Sequence, residues 1–198
     1  GDSNTPTTLS DNYELVSDID ASETSSWNSG KGFKPIGGTG ESTPPFSGEL
    51  DGNGHTVEDL HINRTSRYSV GLIREVDNGY VEQVGIENAT ITGNRRVGGI
   101  AGTNSDGRIN ESYATGNITG TGDTNTNTGG LVGINRGGLV NNTYATANVT
   151  APEKVGGLVG NNVNLATINN SYATGKVSGT SDVGGLVGEQ ESGSIRDA

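Results

Sequence analysis

The sequence contains no cysteine and no methionine. The first absence excludes disulfide staples and thiolate metal sites, and it is compatible with secretion. Apolar residues are scarce. They make up 29% of the 198 residues, and Leu, Ile, Val and Phe together number 40. A chain this poor in apolar residues, with a formal net charge of -11, borders on the disordered class. No run of 18 apolar residues occurs, so neither direct membrane insertion nor a signal peptide within these residues is expected. A trimmed exported chain has this appearance. Cations are few, 12 Lys and Arg against 23 Asp and Glu. An acidic, Lys-poor surface disfavours nucleic acid and anionic lipid as partners, and it also suits a high-salt habitat. The acids crowd the first 60 residues, Asp18, Asp20, Asp51, Glu58 and Asp59 among them, whereas Arg64, Arg67, Arg74, Arg95 and Arg96 cluster after them.

Glycine, by contrast, is abundant, with 34 residues recurring at fixed positions. Val155-Gly-Gly-Leu-Val-Gly160 has variants that begin at Val70, Val97, Thr128 and Val183, at offsets of 27, 31, 27 and 28 residues. A second element lies between the copies: Ile109-Asn-Glu-Ser-Tyr-Ala-Thr-Gly-Asn-Ile118, Val140-Asn-Asn-Thr-Tyr-Ala-Thr-Ala-Asn-Val149 and Ile168-Asn-Asn-Ser-Tyr-Ala-Thr-Gly-Lys-Val177. A period of this length indicates a solenoid, in which one unit cannot bury its apolar face alone.

Helical periodicity is nearly absent after residue 65, and β-branched and turn residues dominate. Ala114, Gly116 and Ile118 alternate with Tyr113, Thr115 and Asn117, which puts the small or apolar set on one strand face. Each repeat reads as a Gly-Gly-Leu-Val-Gly strand, an Ile-Asn strand and a Tyr-Ala-Thr strand. The expected fold is all-β: a single-stranded parallel β-helix, right-handed by analogy with parallel crossovers, of about five coils of 27–31 residues plus an N-terminal capping region. Residues 1–65 form the capping leader and 66–198 the repeat solenoid. Trp27 and Phe33 are expected to plug the open core. Asn104, Asn135, Asn162 and Gln190 share one repeat position and are expected to form an amide ladder. Residues 122–128 and 161–167 read as corner loops.

The repeat VGGLVG…INNSYATGKVSG resembles the GLUG-motif repeat of bacterial and archaeal cell-surface proteins, and Tyr13-Glu-Leu-Val-Ser-Asp-Ile-Asp, Gly32-Phe-Lys-Pro-Ile-Gly37 and Phe46-Ser-Gly-Glu-Leu-Asp-Gly-Asn-Gly-His55 resemble the segment that often precedes it. The resemblance covers residues 9–198. Such repeats occur in adhesin-like surface proteins and beside the protease domain of some IgA-cleaving metallopeptidases. It implies an extracellular or cell-surface stalk or binding module and no known reaction. The first copy departs from the pattern, with Gly-Leu-Ile-Arg-Glu in place of Gly-Gly-Leu-Val-Gly.

Motifs that imitate chemistry fall short of it. Asp51-Gly-Asn-Gly-His55 offers oxygen and imidazole donors, but it reads first as a tight turn with Gly52 and Gly54 at positive φ. His55 and His61 are the only histidines and no His-Glu-x-x-His occurs, so neither a metal site nor a cofactor is expected. No acid after residue 100 recurs at one repeat position on adjacent coils, so no catalytic residue and no enzymatic activity are expected. Tyr113, Tyr144 and Tyr172 should form an outward column, either stacking on sugar rings as a ligand-binding stripe or stabilising one another as a ladder. Asn63, Asn88, Asn117 and Asn148 head sequons open to N-glycosylation. Asn110, Asn141 and Asn169 head three more at one ladder position, where glycans would crowd. The expected partners are surface glycans, other surface proteins, or copies of the chain joined head-to-tail by donation of Thr7–Val16 to the last coil of a neighbour.

Overall fold

The computed structural model describes residues 8–37 and 43–198. Four sheets run the length of the molecule, and every strand ladder in them is parallel. The first face stacks Asn12–Glu14, Glu49–Asp51, Tyr80–Glu82, Arg108–Asn110, Leu139–Asn141, Thr167–Asn169 and Ser194–Arg196 in chain order. The second face stacks Ser69–Val70, Arg96–Val97, Thr128–Gly129, Glu153–Gly156 and Ser181–Gly184. The third stacks Ile73–Asp77, Ala101–Ser105, Val132–Arg136, Val159–Val163 and Val187–Gln190. The fourth carries Ile19–Asp20, Thr56–Glu58, Gly85–Gly93, Tyr113–Gly120, Tyr144–Ala145 and Tyr172–Ala173, with Asn148–Thr150 and Val177–Ser178 continuing its later rungs. A β-solenoid of about five turns results. Neighbouring strands at about 4.8 Å satisfy one another's backbone groups.

Register follows the repeat. Val97 pairs with Val70 and Thr128, Thr128 with Val155, and Val155 with Val183. Single columns of side chains therefore fill the interior: Ile109, Val140 and Ile168 on the first face and Ala114 and Ala145 on the fourth are all fully buried. Each buried Ile or Val side chain contributes about 1.5–3 kcal/mol. Small inward residues keep the interior thin, which is how a chain of 29% apolar residues closes a core.

The Gly-Gly-Leu-Val-Gly motif is not one strand. Glu153–Gly156 ends on the second face, Gly157-Leu158 turns, and Val159 opens a strand on the third. The reason is steric. A Cβ on Gly156 would meet the Val159 carbonyl oxygen at 2.0 Å, so the two arms of the turn press backbone on backbone. The coil accordingly has four faces, one more than its strand pattern suggests. The corner loops are also shorter than expected. Thr126, Asn127 and Thr128 are buried, leaving Asp123, Thr124 and Asn125 exposed. Asn161 to Val163 belong to a strand, and the corner lies at Asn164 and Leu165, both at positive φ.

The leader is built into the same sheets, supplying the early strands of the first and fourth faces. Asn12–Glu14 pairs with Glu49–Asp51 of its own chain, so the segment expected to be donated is already tied down; Thr7 lies outside the described residues. Trp27 does not plug the core. It follows a 3-10 turn at Ser22–Ser26 and remains 46% exposed, at the rim of an apolar cavity of about 410 Å³. Phe33 lines that cavity half-buried, and the aromatic that enters the core is Phe46, 1% exposed.

Candidate functional site

Three features bear on function: an aromatic stack, two amide ladders and a polar pocket. Tyr113, Tyr144 and Tyr172 stand one per coil because Tyr113 pairs with Tyr144 and Tyr144 with Tyr172 in register. Their rings stack at centroid distances of 4.7 and 5.3 Å, within 4° and 7° of parallel. The stack begins at Tyr113 because its partner in the preceding coil is Gly85, where a Cβ would fall 2.7 Å from the Tyr113 ring. Tyr113 Oη donates to Glu87 Oε1 at 2.6 Å. Burial, then this carboxylate, raises the Tyr113 phenol well above its ordinary value, and burial followed by Tyr172 raises that of Tyr144. The faces of Tyr113 and Tyr144 are thus occupied by protein, and Tyr172, 52% exposed, has the most open ring.

The buried ladder has a direction. Asn104 Nδ2 donates to Asn135 Oδ1 at 2.9 Å, Asn135 Nδ2 to Asn162 Oδ1 at 2.9 Å, and Asn162 Nδ2 to Gln190 Oε1 at 3.1 Å. A second ladder on the first face runs the other way: Asn169 Nδ2 donates to Asn141 Oδ1 and Asn141 Nδ2 to Asn110 Oδ1, each at 2.7 Å. The nitrogens that glycosylation would modify at Asn141 and Asn169 are therefore engaged. Asn63, Asn88, Asn117 and Asn148 are exposed. Of these, Asn88 donates to Asp59 at 2.5 Å and Asn148 to Asn117 at 3.3 Å.

Asp51-Gly-Asn-Gly-His55 is a turn. Asp51 Oδ1 accepts the Asn53 N–H at 2.8 Å, and the His55 N–H reaches the Gly52 carbonyl at 2.7 Å. Positive φ falls on Asn53 and Gly54 instead of Gly52. Gly52 is required for another reason: a Cβ there would meet the Gln83 carbonyl oxygen at 2.0 Å. His55 Nδ1 lies 3.1 Å from Asp18, whose carboxyl is held below its ordinary value first by the Thr56 backbone N–H and then by His55. His61 lies on a separate strand, because Asp59 at positive φ breaks the segment between the two histidines. No group of three or more metal-binding side chains gathers among the described residues, and no helix there is long and apolar enough to cross a membrane.

Sequence reasoning missed the pocket. Arg95, Arg96, Asn125, Asn127, Ile134, Lys154 and Asn161 line a cavity of about 250 Å³ where the second and third faces meet. The available signal was the position just before each Val-Gly-Gly motif, occupied by Ser69, Arg96, Asn127, Lys154 and Asp182: unlike residues in an otherwise uniform repeat. Lys154 Nζ lies 2.6 Å from Glu189 Oε2. Burial opposes the Lys154 charge, but Glu189, Glu191 and Asp182 more than offset it and raise its pKa. Asn161 Nδ2 donates to both Glu189 and Glu191, and this bond is the leading cause of the lowered Glu191 pKa.

Stacked parallel coils bound by side-chain ladders define a β-solenoid repeat protein. The repeat is similar to the GLUG motif, whose family model matches residues 93–119 and 152–178. Over 120 residues, 59% of the chain, the sequence is 44% identical to Halomucin of Haloquadratum walsbyi (strain DSM 16790 / HBSQ001), and the match takes in 1% of that protein's length. The crystal structure of a candidate immunoglobulin A1 protease from Bacteroides ovatus is similar at a TM-score of 0.73 and 26% identity, over 93% of this chain and 57% of that one. The chain thus spans under two thirds of either relative.

Proposed function

We propose that the chain is a non-enzymatic segment of a cell-surface or other extracellular protein, acting as a structural and adhesive solenoid. The carrying observation is that polar groups at equal repeat positions are spent on neighbouring coils, in amide ladders and a tyrosine stack, and form a self-similar rod. The two GLUG motifs and the identity with Halomucin support a surface-protein segment. Surface glycans or other surface proteins are its partners in this reading. Nucleic acid is not, given the net charge of -11. Antibody labelling of intact cells should reach the segment, and incubation with pectins, alginates and glycosaminoglycans should release no products. Product formation abolished by Glu189→Gln or Glu191→Gln would overturn the non-enzymatic reading.

A second reading, a head-to-tail filament, draws on exposed apolar residues of the last rungs, Val183 at 46% and Ile195 at 41%. Because Asn12–Glu14 is paired in its own chain, such a contact would stack sheet edge on sheet edge without exchange of a strand. Sedimentation at high concentration and high salt decides it: a monomer throughout rejects the filament.

A further inference from the structure

The second and third faces meet in a turn whose two arms are cross-braced from coil to coil. Ser69 Oγ meets Thr103 Oγ1 at 2.8 Å near one end, and Lys154 Nζ meets Glu189 Oε2 at 2.6 Å near the other. Between these braces lie two further rungs. Gly133 packs on the backbone of Arg96, which brings apolar Ile134 beside that arginine. Gly160 packs on the backbone of Asn127, which brings Asn161 beside it. The cavity of about 250 Å³ opens at these two rungs.

Both amides in it are nine-tenths buried, Asn127 at 6% and Asn161 at 3% exposure, and the Oδ1 atom of each has no partner. Reversing the amides does not cure this. Asn127 Nδ2 donates to the Asn125 carbonyl at 3.0 Å, and Asn161 Nδ2 donates to Glu189 and Glu191 at 2.8 and 3.0 Å. A flip would set oxygen against oxygen at both sites. Two buried acceptors therefore await donors. A metal cation is a poor candidate, because Arg95, Arg96 and Lys154 line the same wall. Glu189 neutralises Lys154, and Glu153 accepts the Asn125 N–H. Arg95 has no ion pair among the described residues, and its guanidinium carbon is held 4.9 Å from the Tyr68 ring centroid. The ligand must carry hydroxyl donors and a negative charge together. Inorganic phosphate keeps a P–OH near neutral pH but gathers its donor and its charge on one small centre, whereas an acidic sugar spreads them over the length of the pocket.

We propose that this pocket binds an acidic sugar, its carboxylate on Arg95 and its hydroxyls on Asn127 and Asn161. The planar fork of arginine suits a carboxylate. The proposal rests on the adhesive half of the function above and supplies its ligand class, while the structural half stands without it. The test is an NMR titration of the isolated chain at low salt with trigalacturonate, with neutral galactotriose and with inorganic phosphate. Trigalacturonate is expected to shift the side-chain amide signals of Asn127 and Asn161 and to weaken as salt is added. Arg95→Gln, at a half-buried surface position, should weaken binding by about tenfold, the loss of one charge-assisted contact. Asn127→Ala should weaken it too, with the backbone spectrum confirming the fold of both variants. Equal binding of galactotriose overturns the role of charge. A response to phosphate equal to that to trigalacturonate reduces the pocket to a general anion site and overturns the sugar. Absence of shifts at millimolar trigalacturonate, or an unchanged Arg95→Gln variant, overturns the whole proposal.

Discussion

At the scale of single residues, an amide inside the solenoid is judged by its neighbours above and below. Asn135 accepts from Asn104, donates to Asn162 and also reaches the Gly138 carbonyl at 3.2 Å. Asn135→Ala strands buried groups on both sides and should cost about 3 kcal/mol. Asn148→Ala removes only an exposed 3.3 Å contact and should stay within about 0.5 kcal/mol. Urea melts of the two variants give the comparison. The tyrosine stack sets an alkaline limit. Raised phenol pKa values mean that the folded state holds these protons more tightly than the unfolded chain does. Their stabilisation is complete below the ordinary value of 10.0 and is lost as pH rises from there through the folded values. The raised Lys154 pKa acts in the same direction above 10.5. Thermal melts should therefore fall in strongly alkaline buffer, and Tyr113→Phe should flatten that dependence while its phenolate absorbance step disappears.

At the scale of elements, the turn between the second and third faces depends on glycine where a coil lies above it. A Cβ on Gly157 would meet the Gly185 carbonyl oxygen at 2.1 Å, whereas one on Gly185, at the same repeat position one coil on, meets nothing within 4 Å. Gly157→Ala should cost about 1–3 kcal/mol, and Gly185→Ala should stay within about 0.5 kcal/mol. Calorimetry of this matched pair separates crowding from backbone entropy, which is common to both. The same turn shows how far the sequence could be read. The column Val97, Thr128, Val155 and Val183, the Asn104 ladder and the tyrosine column all follow from counting the repeat, since pairing in register places equal positions side by side. The split of Gly-Gly-Leu-Val-Gly between two faces does not follow from counting. It depends on contact between the arms of the turn, which alternation along a strand does not record. The pocket was hidden for a related reason: Asn127 and Asn161 are 34 positions apart and meet only through the stagger of one coil across that turn. Size alone does not tell which aromatic fills the core: Phe46, bridged to Val76, is buried, and the larger Trp27 is not.

At the scale of the whole molecule, stability is additive along the axis, because each coil touches only its neighbours. Val155 and Ile168 are fully buried, but their counterparts one coil on, Val183 and Ile195, are 46% and 41% exposed. Amide exchange should be slower in Val132–Arg136 than in Ser194–Arg196. Uniform protection from end to end would contradict the additive picture.

The opposed directions of the two asparagine ladders bear on inheritance. A coil that is duplicated or lost by unequal recombination brings one donor and one acceptor to each ladder, so no amide inside the array loses its partner. Reversing a single Asn would break the chain of bonds, but changing the number of coils does not. Length, at about 4.8 Å per coil, is therefore a trait that can drift by whole repeats at almost no cost to folding, and alleles of different repeat number should fold equally well.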